Sequence, residues 1–110
     1  MITVIESPFA GDIEGNVAYA RACVKDSILR NELPVASHIL YTQPGILDDS
    51  DPKQRLRGIT TGHMFYYTAR LCAVYTDLGI SQGMKDGINV AKSLNVPIEY
   101  RTLYTGGTNA

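Results

Sequence analysis

Tryptophan is absent from this chain of 110 residues, and only two cysteines occur, Cys23 and Cys72. They are far apart and form no C-x-x-C, which argues against a disulfide framework or a cysteine-built zinc site and predicts buried free thiols in a reducing compartment. Charge of neither sign dominates: 10 Lys and Arg against 11 Asp and Glu leave a net charge of −1. Without a basic surface, little drives binding to a nucleic acid polymer or an anionic membrane, since both rest on neutralising phosphates. No apolar run approaches the ~20 residues needed to span a bilayer. No charged segment followed by an apolar stretch opens the chain, so a cytoplasmic protein is expected. The two histidines, His38 and His63, have no spacing that would build a metal site. Neither G-x-G-x-x-G nor G-x-x-x-x-G-K follows the first predicted strand, which argues against a nicotinamide dehydrogenase or an ordinary NTPase. No cofactor is expected.

What remains is ordinary globular composition, with 45% apolar and 19% charged residues in a chain of single-domain size. One domain is expected over residues 1–104, with a small, polar, flexible tail over 105–110. Ile2 to Glu6 is a β-branched run ended by Ser7-Pro8, which predicts a buried strand. Asp12 is placed to cap a helix whose apolar residues Ile13, Val17, Ala20, Val24 and Ile28 recur at helical spacing and stop before Pro34. Val35-Ala36-Ser37 predicts a brief second strand, and His38 to Ser50 a long irregular connection of the kind that is often functional. Asp51-Pro52-Lys53-Gln54 announces a helix with an Asp cap, proline in its first turn and Gln at the third position. Its expected inward stripe is Leu56, Ile59, His63 and Tyr67, and Gly58 and Gly62 leave a groove for another backbone. Leu71 to Thr76 predicts a third strand. A helix from about Ser81 to Leu94 follows, with Met84, Ile88, Ala91 and Leu94 inward, and Pro97 to Tyr100 supplies a fourth strand.

Strands alternating with helices require right-handed crossovers and so a parallel sheet. Such sheets bind ligands beyond the carboxyl ends of their strands, where strand order reverses. The candidates at that rim are Ser7, Pro8 and Phe9 after the first strand, Ser37 to Tyr41 after the second, and Asp77 to Met84 after the third. Gly79-Ile80-Ser81-Gln82-Gly83 matches the G-x-S-x-G of a serine hydrolase elbow, yet both histidines precede the serine instead of following it. Three other readings of the motif stay open. Ser81 with the amides of Gln82 and Gly83 can bind an anion, or a ribose, at a helix start, or can simply cap the helix. Asp77 can hold sugar hydroxyls or act as acid or base, or serve as a turn residue. His38 and Tyr41 can stack on a base. Asp48, Asp49 and Asp51 lack the glycine and terminal glutamate of a calcium loop and read as solvated.

In this order, Ser7-Pro8-Phe9-Ala10-Gly11-Asp12, Ser37-His38-Ile39-Leu40-Tyr41, Leu47-Asp48-Asp49 and Asp77-Leu78-Gly79-Ile80-Ser81-Gln82-Gly83-Met84 resemble the nucleoside 2-deoxyribosyltransferase-like group. The likeness is closest to an uncharacterised branch met in bacteriophage genomes and runs from about Ile2 to Leu103. It implies an α/β fold: a small flavodoxin-like three-layer sandwich with a mostly parallel sheet of about four strands. It also implies binding of a nucleoside or nucleotide, cleavage or exchange of the N-glycosidic bond, and a homodimer or higher homo-oligomer in the cytoplasm, a host's if phage-encoded. In the group, a helical glutamate attacks the sugar; its place falls at Gly87 in this chain, with Asp86 adjacent. Asp77 and Asp86 are therefore the candidate catalytic carboxylates, and Ser7, Pro8, Phe9, His38, Tyr41, Ser81, Gln82, Gly83 and Met84 the candidate ligand-binding residues. The alternative implied by the missing glutamate is an inactive protein that sequesters an NAD-derived or cyclic nucleotide signal.

Overall fold

The computed structural model describes residues 1–104, so the tail expected at 105–110 lies outside the described residues. Its elements run β1 (Ile2–Glu6), α1 (Ile13–Leu29), β2 (Pro34–Val35), α2 (Ser37–Leu40), α3 (Pro52–His63), a 3-10 turn (Met64–Tyr67), β3 (Ala69–Tyr75), α4 (Gln82–Ser93) and β4 (Ile98–Arg101). The described strands form one sheet of order β2-β1-β3-β4, with every pair parallel. β1 turns to one side to meet β2, and the chain then returns across it to add β3 and β4. The order therefore reverses between β1 and β3, the arrangement of a small flavodoxin-like sandwich.

Alternation along β1 sorts the layers. Ile5 packs with Tyr19, Cys23, Ala73 and Tyr75 on the α1 face. Val4 packs with Tyr66, Cys72, Val74, Met84 and Ile88 on the α4 face. Glu6, two residues beyond Val4, is directed to the α4 face by the same period of two. Both cysteines are buried and free.

Helix ends behave as their residues dictate. Asp12 accepts from the Gly15 amide at 3.1 Å, Asp51 from the Lys53 amide, and Ser81 Oγ from the Met84 amide. Asn31 and Asn95 take left-handed φ values of 62° and 59° just after α1 and α4. In each case the next amide reaches back to close the last turn, Glu32 to Ser27 and Val96 to Ala91. No helix among the described residues is long and apolar enough to cross a membrane.

Three local expectations need correcting. The buried stripe of α1 is Asn16, Tyr19, Ala20, Cys23 and Ser27, while Ile13 and Ile28 are exposed. Polar side chains can face inward here because each is satisfied: Asn16 Nδ2 donates to the Phe9 and Ala10 carbonyls, Tyr19 to Asp77, and Ser27 to Glu32. Second, β2 ends at Val35, and Ser37 opens a short helix instead of ending a strand. Third, Leu56 and Tyr67 are 63% and 75% exposed, so the apolar spacing of α3 does not mark a core face. What α3 packs against is set by its glycines: a Cβ at Gly62 would lie 3.0 Å from the Ser37 Cβ, and one at Gly58 3.2 Å from Leu47. The groove they leave is filled by this chain's own α2 and the loop after it.

Candidate functional site

A cavity of about 230 Å³ opens beyond the carboxyl ends of β1 and β3, at the reversal of strand order. β1 supplies Ile5, Glu6 and Ser7, and the loop after it Phe9; α2 and its C-terminal cap bring Ser37, His38 and Tyr41; α3 brings Arg55, Ile59 and His63; α4 opens with Ser81 to Met84. Of the residues expected in the site, Ser7, Phe9, His38, Tyr41, Ser81, Gln82, Gly83 and Met84 line this one cavity. Pro8 is buried between two lining residues without lining it.

Local bonding holds the wall in place. Ser7 Oγ and His38 Nε2 are hydrogen-bonded at 2.7 Å, joining the end of β1 to α2. The Phe9 ring meets the His38 ring edge-on, with centroids 6.4 Å apart. Asn16 holds the Phe9-Ala10 loop from α1 through its two carbonyl contacts. Tyr41 stacks on Phe65 at 6.3 Å and 18° between planes. Burial pushes the His38 imidazole down to about 4, so the ring is neutral at pH 7. Arg55 Nη1 pairs with Asp49 Oδ2 at 2.7 Å, and both line the cavity, so their charges compensate there. Ser81 caps α4, and the first amides of that helix have no acceptor within it.

The two carboxylates expected to do chemistry stand elsewhere. Asp77 is not among the cavity-lining residues. Its carboxylate accepts from Tyr19 Oη at 2.6 Å, from the Leu103 amide at 2.9 and 3.1 Å, and from the Tyr104 amide at 3.3 Å. Burial would raise its pKa, but these hydrogen bonds outweigh it and hold the group below the usual range. Asp77 is thus a latch that fastens the segment after β4. Asp86 is exposed on α4, accepts from Gln82 Nε2 at 3.0 Å, and does not line the cavity either.

Glu6, the last residue of the first strand expected from the sequence, is a carboxylate that does line the cavity. It is the last residue of β1, paired in register with Val74, and its side chain reaches α4. A Cβ built at Gly87 would lie 2.6 Å from Glu6 Cδ, inside the carboxyl group. A side chain at 87 and the Glu6 carboxyl in this position would therefore overlap, and one of them would have to shift. Tyr66 Oη donates to Glu6 Oε2 and also contacts Cys72 Sγ at 3.2 Å. No described group hydrogen-bonds Glu6 Oε1. Burial drives the Glu6 carboxyl up to about 7; the Tyr66 hydrogen bond lowers it and the Asp86 charge adds to the rise. A carboxyl that ionises near neutrality, in a cavity, with one oxygen held and the other free, is suited to proton transfer.

Two signals could have found Glu6: a carboxylate closing an otherwise apolar strand at the binding rim, and a glycine inside a helix that faces the same layer. No curated protein matches this chain. A family match covers the residues that build both sheet and cavity: the model for Domain of unknown function (DUF7768) aligns with residues 1–101, and the chain belongs to that family.

Proposed function

We propose that the protein binds a nucleoside-type ligand, one base on one sugar, in this cavity and cleaves or exchanges its N-glycosidic bond. The observation that carries the reading is the composition of one cavity lining: flat rings from Phe9, His38 and Tyr41, hydroxyls from Ser7 and Ser81, and from Glu6 a carboxyl with no ion-pair partner among the described residues. A base needs flat apolar surface and a sugar needs hydroxyl partners, and both are supplied at the rim where parallel sheets bind ligands. The volume of about 230 Å³ lies below the roughly 300–1,000 Å³ typical of drug-sized ligands, which favours a nucleoside over a dinucleotide. The Arg55–Asp49 pair and the neutral His38 leave little positive charge for a polyphosphate. Both points weigh against sequestration of an NAD-derived signal. The same reading includes a homodimer or higher oligomer in the cytoplasm, with the exposed Leu56, Met64 and Tyr67 offering apolar surface to a second copy.

The test is incubation with the eight common ribo- and 2'-deoxyribonucleosides, their monophosphates, NAD and cyclic ADP-ribose, chromatographed before and after heat denaturation. Free base from a nucleoside is the expected product. Intact NAD or cyclic ADP-ribose released only by heating supports sequestration instead, and absence of both binding and turnover defeats the reading.

A further inference from the structure

The carboxyl of Glu6 fills a place that another element would otherwise occupy, and that exchange has chemical content. Strand alternation sends Glu6 to the α4 face. There the α-carbon of Gly87, which is buried in the middle of α4, backs directly onto the carboxyl. Any side chain at position 87 would begin where the Glu6 carboxyl ends. The two positions thus compete for one volume at the cavity wall, and in this chain β1 supplies the acid. Tyr66 fixes the rotamer by donating to Oε2, while Oε1 has no hydrogen-bond partner among the described residues. Glu6 lines the cavity, and among the described residues the one buried side-chain oxygen without a partner is Thr3 Oγ1, so Oε1 is not sealed off from what the cavity holds.

We propose that Glu6 is the catalytic base of the cavity, its Oε1 taking a proton from a water molecule that attacks the anomeric carbon of the bound sugar; this rests on the nucleoside reading above. The water oxygen forms the new bond to that carbon. The carbon–nitrogen bond breaks, and its electron pair leaves on the base, which is protonated from solvent. Glu6 then returns its proton to solvent, so nucleoside and water become free sugar and free base with nothing else consumed. The charged and titratable groups around Glu6 are Tyr66 from the 3-10 turn, Cys72 from β3, Asp86 from α4 and His63 at the end of α3. None of them is a carboxyl lining the cavity, and the other lining carboxyl, Asp49, is held by Arg55.

The experiment uses the full chain and whichever of the eight nucleosides it turns over fastest. Glu6→Gln is expected to lower kcat at least 100-fold while the Kd for that nucleoside changes less than threefold, and wild-type kcat is expected to rise with pH through about 7. Glu6→Ala combined with Gly87→Asp returns a carboxyl to the same volume from α4, and is expected to recover at least 10-fold over Glu6→Ala alone. Glu6→Gln turning over within threefold of wild type overturns the assignment. So does a sugar covalently attached to Glu6 in acid-quenched wild-type protein, which would make it a nucleophile. Wild-type binding without turnover overturns the assignment but leaves the binding reading intact, whereas absence of both removes the two together.

Discussion

Replacing Glu6 by Gln should make this protein more stable, but only above the pH at which the carboxyl of the unfolded chain begins to ionise. In the folded chain that group ionises at about 7 against an ordinary 4.5, because burial disfavours the anion. Between those values the unfolded chain has released the proton and the native chain still holds it, so stability falls as pH rises through the window. A rise from 4.5 to about 7, at 1.36 kcal/mol per pH unit, corresponds to roughly 3 kcal/mol lost above neutrality. His38 acts in the opposite sense. Its folded value of about 4 against an ordinary 6.5 means that the unfolded chain binds a proton the native chain refuses, so stability falls as pH drops through that window. The amount is again roughly 3 kcal/mol. The two windows overlap from 4.5 to 6.5 with opposite slopes, and the wild-type curve should be nearly flat there.

Glu6→Gln removes one slope and exposes the other. Its stability should climb between pH 4 and 6.5 and then level off. Relative to wild type, the gain should be close to nothing at pH 4 and roughly 3 kcal/mol at pH 8, equivalent to roughly 12 °C or more in Tm. Urea unfolding followed by circular dichroism at 222 nm measures this at each pH, the absence of tryptophan making helix signal the better probe. Parallel curves for the two proteins across pH 4 to 8 would refute the placement of an ionisable carboxyl in a buried cavity wall. The outcome also bears on catalysis, because a variant that gains stability at pH 8 and loses turnover has not lost it by unfolding.

Two further outcomes follow from the same geometry. Asp77→Asn should leave nucleoside affinity within twofold of wild type while costing about 2 kcal/mol in urea unfolding, since a charged acceptor of the Tyr19, Leu103 and Tyr104 donors is lost. Hydrogen exchange at the Leu103 and Tyr104 amides should accelerate with it, and a collapse of affinity without faster exchange would return Asp77 to the binding site. Gly87→Ala should destabilise the wild type by about 1–3 kcal/mol through overlap with the Glu6 carboxyl, yet be neutral or stabilising in a Glu6→Ala background, where a helical glycine is merely a poor helix former. Additive effects of the two substitutions in a double-mutant cycle would mean that they do not share space.

The parallel sheet and the cavity beyond the carboxyl ends of its strands were legible because both follow from the order of elements. Asp51 and Ser81 cap their helices, Met84, Ile88 and Ala91 face inward, and eight of the nine expected ligand-binding residues meet at one cavity. Hydrophobic spacing failed where polarity and burial part company. Asn16 and Ser27 lie buried on α1 because the fold supplies acceptors that no periodicity can announce, and Leu56 lies exposed on α3 because Gly58 and Gly62, not the apolar residues, decide which side meets α2 and the loop after it. Asp77 follows β3 as the sequence predicts, but a strand end has two faces, and this carboxylate looks towards α1 and the segment after β4 instead of into the cavity.

The carboxyl at Glu6 was the hardest feature to read, and the reason reaches beyond this chain. A motif assigns chemistry to a position in sequence, whereas a reaction needs a group at a position in space. Gly87 reads as a lost acid only while the volume beside it is assumed empty. Here the volume is filled by an acid that arrives from the neighbouring strand, aimed by the alternation of β1 and fixed by Tyr66. On the reading proposed above, glycine at 87 leaves room for the acid of the site, because a Cβ there would overlap the Glu6 carboxyl as placed. A glycine in a buried helix facing the end of a strand should accordingly be checked for what the strand sends into the gap before the site is judged inactive.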